Sequence, residues 1–181
     1  MEEAIGPLAY YNPETYLFPL IERRFAENGS LDARALHLII DWKASRARTL
    51  HRDRLIAASG SFEAAAEGIA ADLRTAPGPE QRLQALLTTW GFRLPTASAI
   101  LAVLYPDTFT VYDIRVCNIL GRFHGLGDRR WSPALWSEYQ AFAAAVRSAA
   151  PAGLSLRDCD RWLWGKHKQA AMTQELAGCG R

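Results

Sequence analysis

Along almost the whole chain of 181 residues, apolar residues recur three and four positions apart, the repeat of an α-helix with one buried face. The segment 13–29 carries Leu17, Leu20, Ile21 and Phe25 at that spacing and stops at Asn28-Gly29. The next helix is expected over 30–44, with Ser30 as its cap and Ala35, Leu38, Ile39 and Trp42 on one face. An alanine-rich helix follows over 61–76 and is closed by Pro77-Gly78-Pro79. Residues 79–91 put Leu83, Leu86, Leu87 and Trp90 on one stripe, with Gly91 as a stop. Residues 94–105 put Ala97, Ile100, Leu101 and Leu104 on another. An irregular connector with a short extended piece spans 105–112. Three more helices are expected over 113–123, 132–150 and 155–172, the second with Ser132 as cap and Pro133 in its first turn. Period-two alternation is scarce, and there is no internal repeat or low-complexity linker, so the pattern predicts an all-α fold, a single domain over 1–181 or two small lobes sharing a core.

Composition leaves this picture intact. A hydrophobic fraction of 49% and a charged fraction of 22% are those of a globular protein. No apolar run is long enough to span a bilayer, and the acidic start of the chain is unlike a signal peptide, which points to the cytoplasm. The net charge of +2 is a faint indication of an anionic partner. Only three lysines occur, Lys43, Lys166 and Lys168, so chemistry needing a reactive amine has three side chains to draw on. Cys117, Cys159 and Cys179 lie far apart, and His37, His51, His124 and His167 form no paired spacing, so no metal is expected.

Two features carry chemistry. The first is the short turn Gly91-Phe92-Arg93-Leu94 between two helices, which can aim the N–H groups of the second helix at a phosphate. The second is Asp113, an acid among apolar neighbours in "FTVYDIRVCNIL". By itself Asp113 reads as a helix cap with an arginine neighbour, Arg115 or Arg122.

Together the two features resemble the helix-hairpin-helix DNA glycosylases, the superfamily of endonuclease III and the alkyladenine glycosylases. The family hairpin reads roughly L-P-G-V-G-x-x-T-A, followed by an apolar helix and V-D-x-H/R-V. Gly91 stands at its first glycine, Thr96-Ala97 at its T-A, and Val111 to Val116 over the aspartate motif. The likeness covers about residues 80–123. The family's lysine position is Pro95, 18 residues before Asp113, the usual interval. Arg93 replaces the second glycine, and the iron–sulfur cysteines of some members are absent.

The resemblance implies a monofunctional DNA glycosylase that hydrolyses the N-glycosidic bond of a flipped base, without a cofactor or metal, acting as a monomer on double-stranded DNA in a prokaryotic cytoplasm. Asp113 would be its catalytic carboxylate, stabilising the cationic sugar and orienting water. With the hairpin interval in place, that role is favoured over a bare cap.

A base pocket needs aromatic faces and polar groups. Tyr112 adjoins Asp113 as a wall, and Trp42, Lys43 and Phe18 are the further candidates. The apolar stripe favours the core for Trp42, core packing is likewise favoured for Phe18 in the first helix, and Lys43 suits a pocket edge or the surface. Of Trp162 and Trp164, which cannot share a helical face, one belongs to the core and one to a rim. Hairpin residues Gly91, Phe92, Arg93, Leu94 and Thr96, with Arg46, Arg48 and Arg115, are the candidate DNA contacts. Two other readings stand beside this one: a non-catalytic helix-hairpin-helix DNA-binding module, and a bifunctional lyase using Lys43. Excision in base-excision repair and attack on modified phage bases, such as glucosylated hydroxymethylcytosine, both fit a protein of this kind.

Overall fold

The computed structural model describes residues 11–178. Among them the regular elements are all helical and none is a strand. Cys179 lies outside the described residues. The first rod, α1, runs through Glu14–Tyr16, a π-helical turn at Leu17–Ile21 and Glu22–Asn28. Pro19 sits inside the π turn. A proline offers no N–H and crowds the preceding turn, and the wider π geometry accommodates both defects. The rod ends at Gly29, which is left-handed at φ 67°.

Helix α2 spans Ala33–Ala44 and is capped by Asp32, whose carboxylate accepts from the Ala35 N–H at 2.7 Å. The expected cap, Ser30, instead donates its own N–H to Asn28 Oδ1 at 2.8 Å. Asp32 is also held by Arg24 at 2.6 Å, an interaction a serine could not make. A 3₁₀ turn, Ser45–Ala47, leads into α3, Arg48–Ser59. The hydrophobic pattern did not reveal α3, because only Leu55 of its twelve residues is buried.

Then come α4 (Phe62–Thr75), capped by Ser61, α5 (Pro79–Thr88) and α6 (Leu94–Leu104). The expected single stripe on α6 is an understatement: every residue from Thr96 to Leu104 is buried. It is the central helix, with α1, α2 and α5 packed around it. The small residues Ala97, Ser98, Ala99 and Ala102 let those neighbours approach closely. Helix α7 (Ile114–Leu120), α8 (Pro133–Ala149) and α9 (Leu156–Gly178) complete the chain, with α7 packed on both α8 and α9. One apolar cluster joins residues from all of these helices. No helix among the described residues is long and apolar enough to cross a membrane.

The connector between α6 and α7 fixes the position of Asp113. Residues 109–113 take no regular conformation, so their buried backbone groups need partners from elsewhere. Three helices supply them. Tyr139 of α8 accepts from the Thr110 N–H at 3.2 Å and donates to the Thr110 carbonyl at 2.7 Å. Asp160 of α9 accepts from the Val111 N–H at 3.3 Å and the Thr110 hydroxyl at 3.0 Å. Ser98 of α6 accepts from the Tyr112 N–H at 2.9 Å. The segment is thus held by side chains in place of a neighbouring strand.

Replacing Tyr139 by Phe leaves the Thr110 N–H and C=O without this partner in a buried site. Chemical denaturation should show a loss of about 2–4 kcal/mol.

Candidate active-site cleft

Asp113 is the N-cap of α7: its Oδ1 accepts from the Arg115 N–H at 2.9 Å. Its Oδ2 holds the Lys43 ammonium at 2.8 Å, and both side chains are largely withdrawn from solvent, at 17% and 11% exposure. Lys43 comes from the last turn of α2. Burial works against ionisation of Asp113, but Lys43 and the Arg115 N–H outweigh it and hold the carboxyl below its usual range.

The pair opens onto a cleft of about 360 Å³, within the range of small-molecule sites. Trp42 and Trp164 line it, both half-buried. The far wall is a charged network. Glu14 accepts from the Trp42 indole N–H at 3.2 Å, from Arg157 at 2.8 Å and from Arg161 at 2.9 Å. Arg157 also pairs directly with Asp160, and its guanidinium lies over the rings of Phe18 and Trp42, 4.7 Å and 5.0 Å from their centroids. Burial pushes the Asp160 carboxyl up to about 6, against the opposing pull of Arg157 and the Val111 N–H.

The proposed pocket residues divide. Trp42 and Lys43 line the cleft. Phe18 stands one layer behind it, edge-on to Trp42 at 5.7 Å and beneath Arg157 and Arg161. Tyr112 is not a wall. Its backbone N–H is held by Ser98, its ring packs on Phe142 at 5.2 Å, and its hydroxyl donates to the Phe123 carbonyl at 2.7 Å. Successive residues of an extended segment point to opposite sides, so Asp113 faces the cleft while Tyr112, pushed up to about 12 by burial, faces the core. Of the two tryptophans in α9, Trp164 is at the cleft and Trp162 is exposed, with Lys166 over its ring.

The hairpin is built on Gly91, at φ 60°, and closed by the Phe92 N–H on the Leu86 carbonyl at 2.9 Å. Arg54 of α3 clamps it, bonding both the Gly91 carbonyl and the Trp90 carbonyl. The side chains of Phe92, Leu94 and Thr96 are buried, so among these candidate DNA contacts only backbone atoms can meet a phosphate. Arg93 is exposed and paired with Asp128, and as N-cap of α6 it supplies no side-chain cap. Arg48 is committed to Asp41 at 3.0 Å, and Arg46 is exposed with no bonded partner among the described residues. Arg115 stands at the cleft over Trp164, 5.6 Å from the ring centroid.

Glu14, Arg157, Asp160 and Arg161 were not singled out in the sequence. The one signal was local: Arg157 and Arg161 flank Asp160 on a helix whose adjacent positions Leu156, Cys159 and Leu163 are buried. Among the described residues no group of His, Cys, Asp and Glu is arranged to hold a metal. Compared with protein-family models, with curated proteins and with solved structures, the chain matches none.

Replacing Lys43 by Met removes the charge that offsets the burial of Asp113. A carbon-detected NMR titration should then show the Asp113 midpoint rise. In the native protein the depressed midpoint means that Asp113 adds stability above the unfolded carboxyl value of about 3.9, which is lost as pH falls through the folded value. In the Met variant the folded and unfolded values draw together, so this acid-side loss of stability shrinks.

Proposed function

We propose that this protein is a DNA glycosylase of the helix-hairpin-helix type, which draws a damaged or modified base out of the duplex and hydrolyses its N-glycosidic bond. The observation that carries this reading is Asp113, held ionised at the floor of a tryptophan-lined cleft roomy enough for a base. Breaking the C–N bond builds positive charge on the deoxyribose. A fixed carboxylate beside the anomeric carbon lowers the energy of that state and can take a proton from the attacking water. The Leu94 N–H at the start of α6, where Pro95 has no N–H and Thr96 donates to the Arg93 carbonyl, and Arg46, which has no bonded partner among the described residues, supply groups suited to phosphates. On this reading the protein works as a monomer on double-stranded DNA in a prokaryotic cytoplasm, in base-excision repair or against phage DNA carrying modified bases.

The 2.8 Å contact between Lys43 and Asp113 favours a second reading. The hairpin has proline where related enzymes have lysine, and here an amine from α2 reaches the carboxylate instead. Base release leaves a sugar in equilibrium with its open-chain aldehyde. The unprotonated Lys43 amine could add to C1′, expel water and form an imine. Removal of a C2′ proton would then drive out the 3′ phosphate and cut the strand.

Asp113→Asn keeps the oxygen that caps α7 and removes the charge. Base release should fall by ~10²–10⁴-fold while DNA affinity is largely kept; undiminished release would sink the mechanism. Borohydride reduction during turnover separates the two readings. An intact strand with an abasic site and no covalent adduct supports simple hydrolysis. A trapped adduct that Lys43→Arg abolishes supports the lyase. Salt-sensitive DNA binding with no base released from a broad panel would leave only a DNA-binding module.

A further inference from the structure

The polar groups around the cleft differ sharply in how far they are already committed. Each of the six carboxylate oxygens that line it has a protein donor. Oδ1 and Oδ2 of Asp113 hold the Arg115 N–H and Lys43. Those of Asp160 hold Arg157 on one side and Thr110 with Val111 on the other. Oε1 of Glu14 takes Trp42 and Arg157, and Oε2 takes Arg161.

The donors are less committed. The Arg157 Nε is buried and has no acceptor among the described residues, on a side chain only 9% exposed. Among the described residues the Arg115 guanidinium reaches no acceptor nearer than Asp113 Oδ1, at 3.7 Å. An ammonium has three N–H groups, and Lys43 spends one on Asp113.

Charge points the same way. Four cations, Lys43, Arg115, Arg157 and Arg161, face three carboxylates. Cations also stand beside both rings: Arg157 is over Trp42, and Arg115 and Lys168 are over Trp164 at 5.6 Å and 5.4 Å. A positively charged base seeking either ring would meet a cation beside it.

We infer that the cleft selects an uncharged base with an edge rich in acceptor oxygens, carbonyl or hydroxyl, and rejects cationic alkylated bases. The inference rests on the glycosylase reading and names the chemistry of the base that this site takes. An oxygenated edge can accept from Lys43 and Arg115, whose N–H groups are not all committed in this partly buried site. A cationic edge leaves them unpaired and adds like charge.

The test has two arms. In the first, the native protein is given duplexes carrying single 8-oxoguanine, uracil, 5-hydroxymethyluracil or glucosylated 5-hydroxymethylcytosine, and chemically methylated DNA containing 7-methylguanine and 3-methyladenine. Released bases are measured by mass spectrometry. At least one oxygenated base should be released tenfold or more faster than either cationic base; equal or faster release of a cationic base overturns the inference. In the second arm, the affinity of Asp113→Asn for duplexes with the same lesions is measured against unmodified duplex, independently of turnover. Tenfold tighter binding at an oxygenated base supports the inference. A preference for a cationic base, or no preference, overturns it. If no base is released from any substrate, the glycosylase reading falls, and the binding arm alone decides what the cleft selects.

Discussion

The buried carboxylate of Asp160 joins parts of the protein that would otherwise be independent. It receives the Val111 N–H and the Thr110 hydroxyl, and so pins the segment that delivers Asp113. It also grips Arg157, which holds Glu14 and lies over Trp42. The catalytic candidate and the far wall of the cleft are therefore positioned from one side chain of α9. Such a group is costly to bury, and it is tolerated because its two oxygens carry three donors. Its cost also makes the arrangement specific, since a shift of α9 would strand a charge in the core.

Lys43 and Asp113 pose a different electrostatic problem. A carboxylate that stabilises a cationic sugar works best when it is not neutralised beforehand. In this cleft its nearest neighbour is an ammonium that keeps it ionised and offsets part of its field. On the proposed glycosylase reading the pair would have to loosen when a sugar arrives, or the amine would have to take part. Either course would give Lys43 a role beyond that of a pocket edge.

Most helices were legible because their buried faces repeat with the helical period. The exceptions have physical reasons. Helix α3 buries only Leu55 and is held by the polar contacts of Arg54, which leave no hydrophobic stripe. Helix α6 is buried all round, so a single stripe understates it. At the site, Asp113 stands out from its interval to the hairpin and Lys43 from its place at a helix end, whereas Trp42, on an apolar stripe that favours the core, lines the cleft. Tyr112 departs from the expected wall because adjacency in an extended segment places its side chain on the opposite face from Asp113. The Glu14 network was invisible because its partners, Arg157 and Arg161, come from the far end of the chain, and no local pattern encodes that encounter.

The placement of the Lys43–Asp113 pair on its two helices has one more consequence. Lys43 sits at the C-terminal, electronegative end of α2, and Asp113 at the N-terminal, electropositive end of α7. Each charge therefore has a second counterpole in its own backbone. When the two side chains part, the carboxylate is not left stranded, because it still accepts the Arg115 N–H. The contact is thus backed by the helix start behind Asp113, which keeps a donor on the carboxylate whether the pair is closed or open.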